Sequence, residues 1–258
     1  MSVVKPLKVA LLQTELVWQD APANRNQLAA QLQQVKADLI VLPEMLSSGF
    51  SMQSAAIAEV EGETLAWLKQ QATLCGAALC GSVATRIDSG CVNRCYFVTP
   101  DGSVSYYDKK HLFRMAGEHQ AYQAGAERVV VAYRDWRILL QVCYDLRFPV
   151  FSRNRNDYDI ALYVANWPAA RSHAWCTLLQ ARAIENQAFV LGCNRVGRDG
   201  NGVDYSGDSM VVDYTGQAVA ELAPKQAGVL CATLDYAQLA QYRQNFPAYL
   251  DADRFQLD

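Results

Sequence analysis

Residues 137–149 read RILLQVCYDLRFP and are the most informative part of the chain. Apolar residues interrupted only by Gln141 predict a strand over residues 138–142 that is buried on both faces, as in a parallel sheet. Cys143 and Asp145 follow directly. An apolar strand holds such groups on a rigid support and surrounds them with a low-dielectric wall that shifts their pKa values. We therefore expect this strand end to lie in a functional site.

Two further apolar strands end in polar side chains. DLIVLPE, residues 38–44, ends in Glu44, and DIALYVANW, residues 159–167, ends in Asn166 and Trp167. In open α/β sheets, ligands bind outside the carboxyl ends of the strands. Any one of these residues alone is more often a core or surface residue, but together the strand ends predict one shared site.

Short apolar runs alternate with amphipathic segments along the whole chain, which indicates an α/β fold with mixed sheets. No linker or repeat interrupts the pattern, so we predict one domain over residues 1–258 with an apolar tail at about 246–258. The predicted helices are 24–35, 63–75, 172–186 (with Ser172 as N-cap) and 236–243. The predicted strands are 8–14, 38–42, 77–84, 91–98, 103–107, 128–133, 138–142, 159–164, 188–193, 208–213, 217–222 and 228–232.

Composition excludes several classes of function. The 258 residues carry 23 Lys and Arg against 26 Asp and Glu, so no excess positive charge attracts a phosphate backbone, and we expect no nucleic-acid partner. No apolar run approaches the roughly 18 residues of a membrane span, and we expect no membrane partner. The short apolar stretch near the N-terminus is more typical of a strand than of a signal peptide, which predicts a cytoplasmic protein.

The eight cysteines do not indicate a metal site. Cys91 and Cys95 are four residues apart and Cys75 and Cys80 five apart, and neither spacing is the C-x2-C of a zinc ribbon. In a core-rich chain predicted to be cytoplasmic, most cysteines are small buried hydrophobic residues rather than disulfides.

Residues 106–113, YYDKKHLF, add Lys109 and His111, which face the same side of an extended chain. A thiol attacks a carbonyl group as thiolate, a carboxylate such as Glu44 can take its proton, and an ammonium group can stabilise the oxyanion that forms. This combination predicts nucleophilic attack by Cys143 on a carbonyl carbon. His111 is the competing partner, because a Cys–His pair also generates a thiolate.

Three segments, LPE (42–44), YDKKHLF (107–113) and CYDLRFP (143–149), resemble the signatures of the nitrilase superfamily of carbon–nitrogen hydrolases. The resemblance implies an α-β-β-α sandwich of two mixed sheets flanked by helices. It also implies a homodimer formed through helices, a small-molecule amide substrate, and neither a metal nor an organic cofactor. The similarity continues, in the family's order, through GEHQAYQAG (117–125), ANWPAARSHAW (165–175), QARAIENQ (180–187) and GDSMVVDYTG (207–216).

The family motifs carry over to this chain position by position. They make Cys143 the nucleophile and Glu44 the general base. The motif lysine stands two residues before His-Leu, which is Lys109 rather than Lys110. The second family glutamate matches Glu118, which would hold Lys109 and help to orient the substrate.

Three neighbouring positions have other expected roles. Asp108 stands where related sequences often carry Arg, and we expect only a local effect there. We expect Asp145 and Arg147 to be paired and to hold the turn beside Cys143, with substrate contact as the alternative. For His111, the resemblance implies a positioning role.

The CYDLRFP form and the compact length resemble most closely the omega-amidase branch, which hydrolyses the terminal amide of 2-oxo-dicarboxylic monoamides such as 2-oxoglutaramate and 2-oxosuccinamate. The remote carboxylate of such a substrate needs a cation or several hydrogen-bond donors in the pocket. Arg171 is the candidate, and a surface charge at the start of a helix is the alternative interpretation. Tyr144, Trp167 and Phe50 would form the pocket wall, with plain core packing as the alternative for the last two.

Two other functions stay open at this point. The chain could hydrolyse N-carbamoyl compounds or other aliphatic amides on the same scaffold. It could also be a noncatalytic binding module that keeps the fold, although the presence of Glu44, Lys109 and Cys143 together argues against this. Loss of activity on alkylation of Cys143 alone would distinguish an enzyme from a binding module.

Overall fold

The apolar strands form two six-stranded sheets in the computed structural model, which describes residues 4–60 and 62–256. Residues 1–3, 61 and 257–258 lie outside this description, including the last two residues of the predicted tail. The elements of the first half are β1 (Leu7–Gln13), α1 (Ala21–Leu32), β2 (Leu39–Val41), α2 (Ser54–Ile57), α3 (Glu63–Cys75), β3 (Ala78–Ile87), β4 (Gly90–Val98), β5 (Val104–Asp108) and α4 (Glu118–Ala121). Those of the second half are β6 (Val130–Tyr133), β7 (Trp136–Val142), α5 (Pro149–Ser152), β8 (Ile160–Ala165), α6 (Ser172–Asn186), β9 (Phe189–Asn194), β10 (Val196–Arg198), β11 (Asp204–Ser206), β12 (Met210–Val212), β13 (Ala218–Glu221), β14 (Gly228–Leu234) and α7 (Tyr236–Asn245).

Both sheets are mixed, as predicted. The first has the strand order β14-β1-β2-β3-β4-β5, in which β1, β2 and β3 are parallel and the outer pairs antiparallel. The second has the order β13-β12-β9-β8-β7-β6, with β7, β8 and β9 parallel. The parallel centre of each sheet directs the carboxyl ends of β2, β7 and β8 to the loops that carry the predicted site residues.

Strand β1 shows how the layers are divided. Side chains alternate between the two faces of a strand, and Val9 and Leu11 belong to the core between the two sheets. Ala10 and Leu12 point the other way and pack with residues of α1 and α3. Trp175 of α6 packs on the second sheet. The order helix, sheet, sheet, helix confirms the predicted sandwich.

The helix boundaries follow local signals. Helix α3 ends at Gly76, whose φ of +62° is the left-handed conformation that glycine adopts readily. The predicted bounds of α3 and α6 are confirmed. The expectation that Ser172 is an N-cap is wrong: Arg171 takes that position and Ser172 is the first helical residue. No described helix is long and apolar enough to cross a membrane.

Candidate active site

Cys143 lies at the junction where β7 ends and a 3-10 turn, Cys143–Arg147, begins. Its φ is +46°, a strained conformation for a residue with a side chain, and such strain concentrates at functional sites. Asp145 supports the turn: Oδ2 accepts hydrogen bonds from the Val142 amide at 2.9 Å and from the Tyr107 hydroxyl at 2.8 Å. The structure therefore confirms that Asp145 holds the turn that presents the thiol.

The same carboxylate ties the lysine segment to the turn. Asp145 Oδ1 accepts from the backbone amide of His111 at 3.0 Å and lies 2.7 Å from its Nδ1. The His111 ring also stacks on Phe148, with ring centroids 3.9 Å apart. These contacts favour the positioning role of His111 over the alternative in which it activates Cys143.

Lys109, Glu44 and Glu118 form a buried ionic cluster in which each residue has 0% exposure. Lys109 Nζ donates to Glu44 Oε1 at 2.9 Å and to both carboxylate oxygens of Glu118 at 3.0 Å. Glu44 lies in the loop that follows β2, Lys109 comes directly after β5, and Glu118 is the first residue of α4. The structure thus places together the residues that the sequence assigned to catalysis.

The electrostatics of this cluster define its protonation. Burial raises the pKa of the Cys143 thiol well above its ordinary value, and the negative charge of Glu44 adds to this effect. Burial alone would lower the pKa of Lys109, but the charges of Glu118 and Glu44 outweigh it and raise that pKa. Burial also raises the pKa of Glu118, against the charge of Lys109. The resting site therefore holds a thiol beside an ammonium, and thiolate forms only when a base takes the proton.

Further donors fix the direction of the carboxylates. Glu44 Oε2 accepts from the backbone amide of Asn166 at 2.8 Å, and the Asn166 side chain donates to the Glu44 carbonyl at 2.6 Å. Glu118 Oε2 accepts from the Phe113 amide at 2.6 Å. Asn93, on β4, donates to Glu44 Oε1 at 2.8 Å. Sequence reasoning missed Asn93, although a polar residue inside the apolar segment CVNRCYFV is a detectable signal.

A cavity of 620 Å³ opens beside Cys143. It is lined by the four residues predicted to bind substrate, Phe50, Tyr144, Trp167 and Arg171. Trp167 and Phe50 therefore contribute to the cavity wall. Arg171 lies with its guanidinium over the Phe113 ring, 5.2 Å from its centroid.

The structure contradicts the role predicted for Arg147. It was expected to be paired and to hold the turn, but its side chain is exposed and lines the cavity. Its guanidinium lies 5.1 Å from the Trp167 ring centroid, and no carboxylate of the described ranges, 4–60 and 62–256, forms an ion pair with it. Two cations, Arg147 and Arg171, therefore border the cavity where sequence reasoning assigned one.

Part of the cavity wall comes from the hairpin of β10 and β11, which the sequence did not predict. Asp199 organises its turn: Oδ1 accepts from the amides of Asn201 and Val203 at 2.9 Å, and Oδ2 accepts from the Tyr205 hydroxyl at 2.9 Å. Asp199 and Tyr205 line the cavity together with Trp18 from the N-terminal segment. The thiol site is thus enclosed by segments distant in the chain.

A buried thiol that lines a cavity, with a carboxylate and an ammonium next to it, is suited to nucleophilic attack on a carbonyl group. The sequence model of the family described as "Carbon-nitrogen hydrolase" matches residues 8–244. The chain belongs to the carbon–nitrogen hydrolases. The family assignment and the chemistry of the cluster agree, and the protein is an enzyme that acts on amides.

Two curated relatives match most of this carbon–nitrogen hydrolase. A protein named Omega-amidase YafV from Escherichia coli K12 is 55% identical over 252 residues, which are 97% of this chain and 98% of the relative. A protein named 2-oxoglutaramate amidase from Bacillus subtilis is 33% identical over 221 residues, 83% of this chain and 85% of the relative.

Solved structures support the nitrilase-type fold. The CN-hydrolase superfamily protein XC1258 from Xanthomonas campestris has a TM-score of 0.97 and 48% identity, and the match covers 98% of this chain and 100% of that one. Nit3 of Saccharomyces cerevisiae, a nitrilase superfamily member, has a TM-score of 0.86 and 26% identity, with 95% and 96% coverage.

Asp108, which stands where related sequences often carry Arg, pairs with a residue of the neighbouring strand in this carbon–nitrogen hydrolase. The Asp108 carboxylate accepts from Arg94 Nε at 2.7 Å and from Arg94 Nη2 at 2.9 Å. The two residues face each other across β4 and β5. The acidic residue is therefore matched by a basic one on the neighbouring strand, one position before Lys109.

Proposed function

We propose that this protein is an omega-amidase, which hydrolyses the terminal amide of 2-oxo-dicarboxylic monoamides such as 2-oxoglutaramate to the 2-oxo acid and ammonia. The observation that carries the proposal is that Cys143, Glu44 and Lys109 are buried together, with Cys143 beside a cavity that two arginines border. The relatives named omega-amidase and 2-oxoglutaramate amidase support the same substrate class.

In the acylation step, Cys143 Sγ attacks the amide carbon while Glu44 takes the thiol proton. Lys109 and the backbone N–H of Tyr144 stabilise the oxyanion of the tetrahedral intermediate. Glu44 then passes its proton to the leaving nitrogen, the carbon–nitrogen bond breaks, and ammonia departs from a thioester. This order suits a thiol whose raised pKa keeps it protonated until the substrate is in place.

In the deacylation step, Glu44 takes a proton from water, and the resulting hydroxide attacks the thioester carbon. The oxyanion is stabilised by the same donors, and the carbon–sulfur bond breaks. The sulfur recovers its proton from Glu44, and the carboxylic acid is released. Glu118 keeps Lys109 directed at the reacting atoms through its two 3.0 Å contacts. No cofactor enters either step.

The substrate carboxylate requires a cation far from Cys143. Arg171 is half-buried and Arg147 exposed, and each lies over an aromatic ring that limits its range of positions. Guanidinium groups suit carboxylates because their donors match both oxygens. We propose that Arg171 and Arg147 receive this carboxylate while Tyr144, Trp167 and Phe50 enclose the carbon chain.

Arg171→Gln and Arg147→Gln are expected to raise KM for 2-oxoglutaramate by about 10-fold or more each, since a charge-assisted contact contributes about 1.5–3 kcal/mol. The turnover number should change much less, because the reacting amide lies elsewhere. Steady-state kinetics at fixed ionic strength measure both constants. Arg155→Gln, which removes an exposed arginine stacked on Phe255 of the tail, is the matched control. An unchanged KM in both cavity variants would contradict this assignment.

Ammonia release from 2-oxoglutaramate, 2-oxosuccinamate, glutamine and an N-carbamoyl amino acid tests the function directly. Fast release from the 2-oxo amides is the expected result. Release from the carbamoyl compound alone would favour the carbamoylase alternative and leave the cysteine chemistry in place. No release from any substrate would favour a noncatalytic module. The cytoplasmic location and the homodimer stay predictions, and light scattering of the purified protein tests the dimer.

A further inference from the structure

Asn93 lies in the interior of β4, with 0% exposure, next to the carboxylates of Glu44 and Glu118. Its side-chain nitrogen is 2.8 Å from Glu44 Oε1 and 3.4 Å from Glu118 Oε1. It therefore bridges the two acidic residues from the side of the first sheet. Lys109 also contacts both oxygens. The amide and the ammonium thus share the same pair of acceptors.

The chemistry of the partners fixes which way this amide faces. Ionised carboxylates only accept hydrogen bonds, so the nitrogen of Asn93 must point toward them. Its oxygen, Oδ1, is then left buried without a hydrogen-bond partner among the residues that the structure describes. Most buried polar atoms in proteins have a hydrogen-bond partner, and a buried acceptor without one lowers stability. The unpaired Oδ1 of Asn93 therefore needs an explanation. A function at the site supplies one.

The charge balance of the cluster indicates what that function is. Glu44 and Glu118 carry two negative charges against the single positive charge of Lys109. Like charges in a buried site favour uptake of a proton by one of the carboxylates. A neutral donor placed between them favours the ionised form without adding charge. It also holds Glu44 Oε1 in one direction.

We propose that Asn93 is a positioning residue, which holds Glu44 aligned for proton transfer from Cys143 and favours the ionised form of the carboxylate pair by donating to both members. The proposal deepens and rests on the amidase function proposed above. Asn93 does not line the cavity, so it acts through Glu44 rather than on the substrate.

The acid limb of the pH–rate profile is the readout, because the buried cysteine, tyrosine and lysine neighbours of the carboxylates keep one charge near neutral pH. Cysteine and tyrosine neighbours have raised pKa values and stay neutral, and the raised pKa of Lys109 keeps it charged. Removing the Asn93 donor favours the protonated carboxylate, so the acid limb should move to higher pH. Besides Glu118, the titratable groups that face Glu44 are Lys109 after β5, Cys143 after β7, Tyr122 after α4, Cys95 on β4 and Tyr205 on β11.

Asn93→Ala is expected to lower kcat for 2-oxoglutaramate by about 10- to 100-fold, the usual scale for groups that orient a catalytic residue. KM should change by less than about 3-fold, since substrate contacts are unchanged. The acid limb should move up by about one pH unit. Asn93→Asp keeps the shape but adds a third carboxyl group, and we expect a larger loss of kcat. Asn93→Ser, which keeps a hydroxyl donor, is a milder second variant if alanine impairs folding.

Asn154→Ala is the matched control, because Asn154 is a buried asparagine whose hydrogen bonds, within residues 4–60 and 62–256, join backbone and amide groups near Tyr158 and Asn186. It should lower Tm and leave the pH profile in place. If the soluble Asn93 variants behave in the same way, with reduced Tm but an unchanged kcat and acid limb, the proposal is overturned.

A measurement without substrate separates this proposal from the assigned function. The rate of Cys143 alkylation by iodoacetamide, followed by peptide mass spectrometry, reports transfer of the thiol proton as sulfur displaces iodide. Asn93→Ala should slow this alkylation at pH 7 even if no amide tested is hydrolysed. An alkylation rate equal to that of the wild type would overturn the positioning role, whatever the substrate proves to be.

Discussion

Replacement of Cys143 by alanine is expected to abolish ammonia release, with a loss of at least about 10⁴-fold in turnover. The variant loses the atom that forms the thioester, and the remaining groups can only polarise the amide and bind it. Cys143→Ser should lose nearly as much, because Glu44 must then deprotonate a far weaker acid. Ammonia release measured at high enzyme concentration, together with Tm, tests both variants.

Cys193→Ala is the control for this experiment. Cys193 is also a buried cysteine near the end of a parallel strand, β9, but its thiol donates to the carbonyls of Leu12 and Val41 at 3.4 Å. We expect a lower Tm and turnover within about 2-fold of the wild type, since such a substitution acts through packing alone. If Cys193→Ala were inactive and Cys143→Ala active, the assignment of the nucleophile would be wrong.

The parts of the site that were predictable from sequence are those attached to apolar strands. A buried strand has a short apolar run, and the residue that follows it is placed at the sheet edge by the topology of parallel strands. Glu44, Cys143 and Asn166 were predictable for this reason. The bounds of α3 and α6 were also predictable, because helical periodicity is a local property, although the N-cap predicted for α6 was wrong.

The parts that were missed depend on contacts between distant segments. Arg147 looked like a residue that holds the turn, but Asp145 performs that role with Val142 and Tyr107, so the arginine is left to face the cavity. The hairpin of β10 and β11 has too few apolar residues to show a strand period. Its turn forms because Asp199 accepts three hydrogen bonds, which no periodic pattern reveals.

Lys109→Met is expected to lower turnover by at least about 10²- to 10³-fold, because it removes an oxyanion donor that by itself contributes about 2.7–4 kcal/mol. It also leaves Glu44 and Glu118 buried without their shared cation, and breaking a buried ion pair costs about 3–5 kcal/mol of stability. One of the two carboxylates must then take up a proton at neutral pH, which disables the base. Turnover and the free energy of unfolding should therefore fall together.

A compensated variant separates the catalytic effect from the structural one. In Lys109→Met with Glu118→Gln, the cluster keeps the net charge of the wild type and Glu44 is no longer opposed by a second carboxylate. Stability should largely return while turnover stays low, since the ammonium group is still missing. If activity returned with stability, Lys109 would have only a structural role.

Lys110→Ala tests the choice between adjacent lysines. Lys110 is half-buried, its backbone amide donates to the Tyr107 hydroxyl at 3.0 Å, and its ammonium forms no ion pair with a carboxylate in the described part of the chain. Turnover should stay within about 3-fold of the wild type, as for surface substitutions in general. A loss of less than tenfold in Lys109→Met with inactivity of Lys110→Ala would reverse the assignment. The buried contacts of Lys109 with two carboxylates argue for the opposite result, because only that ammonium lies beside the thiol.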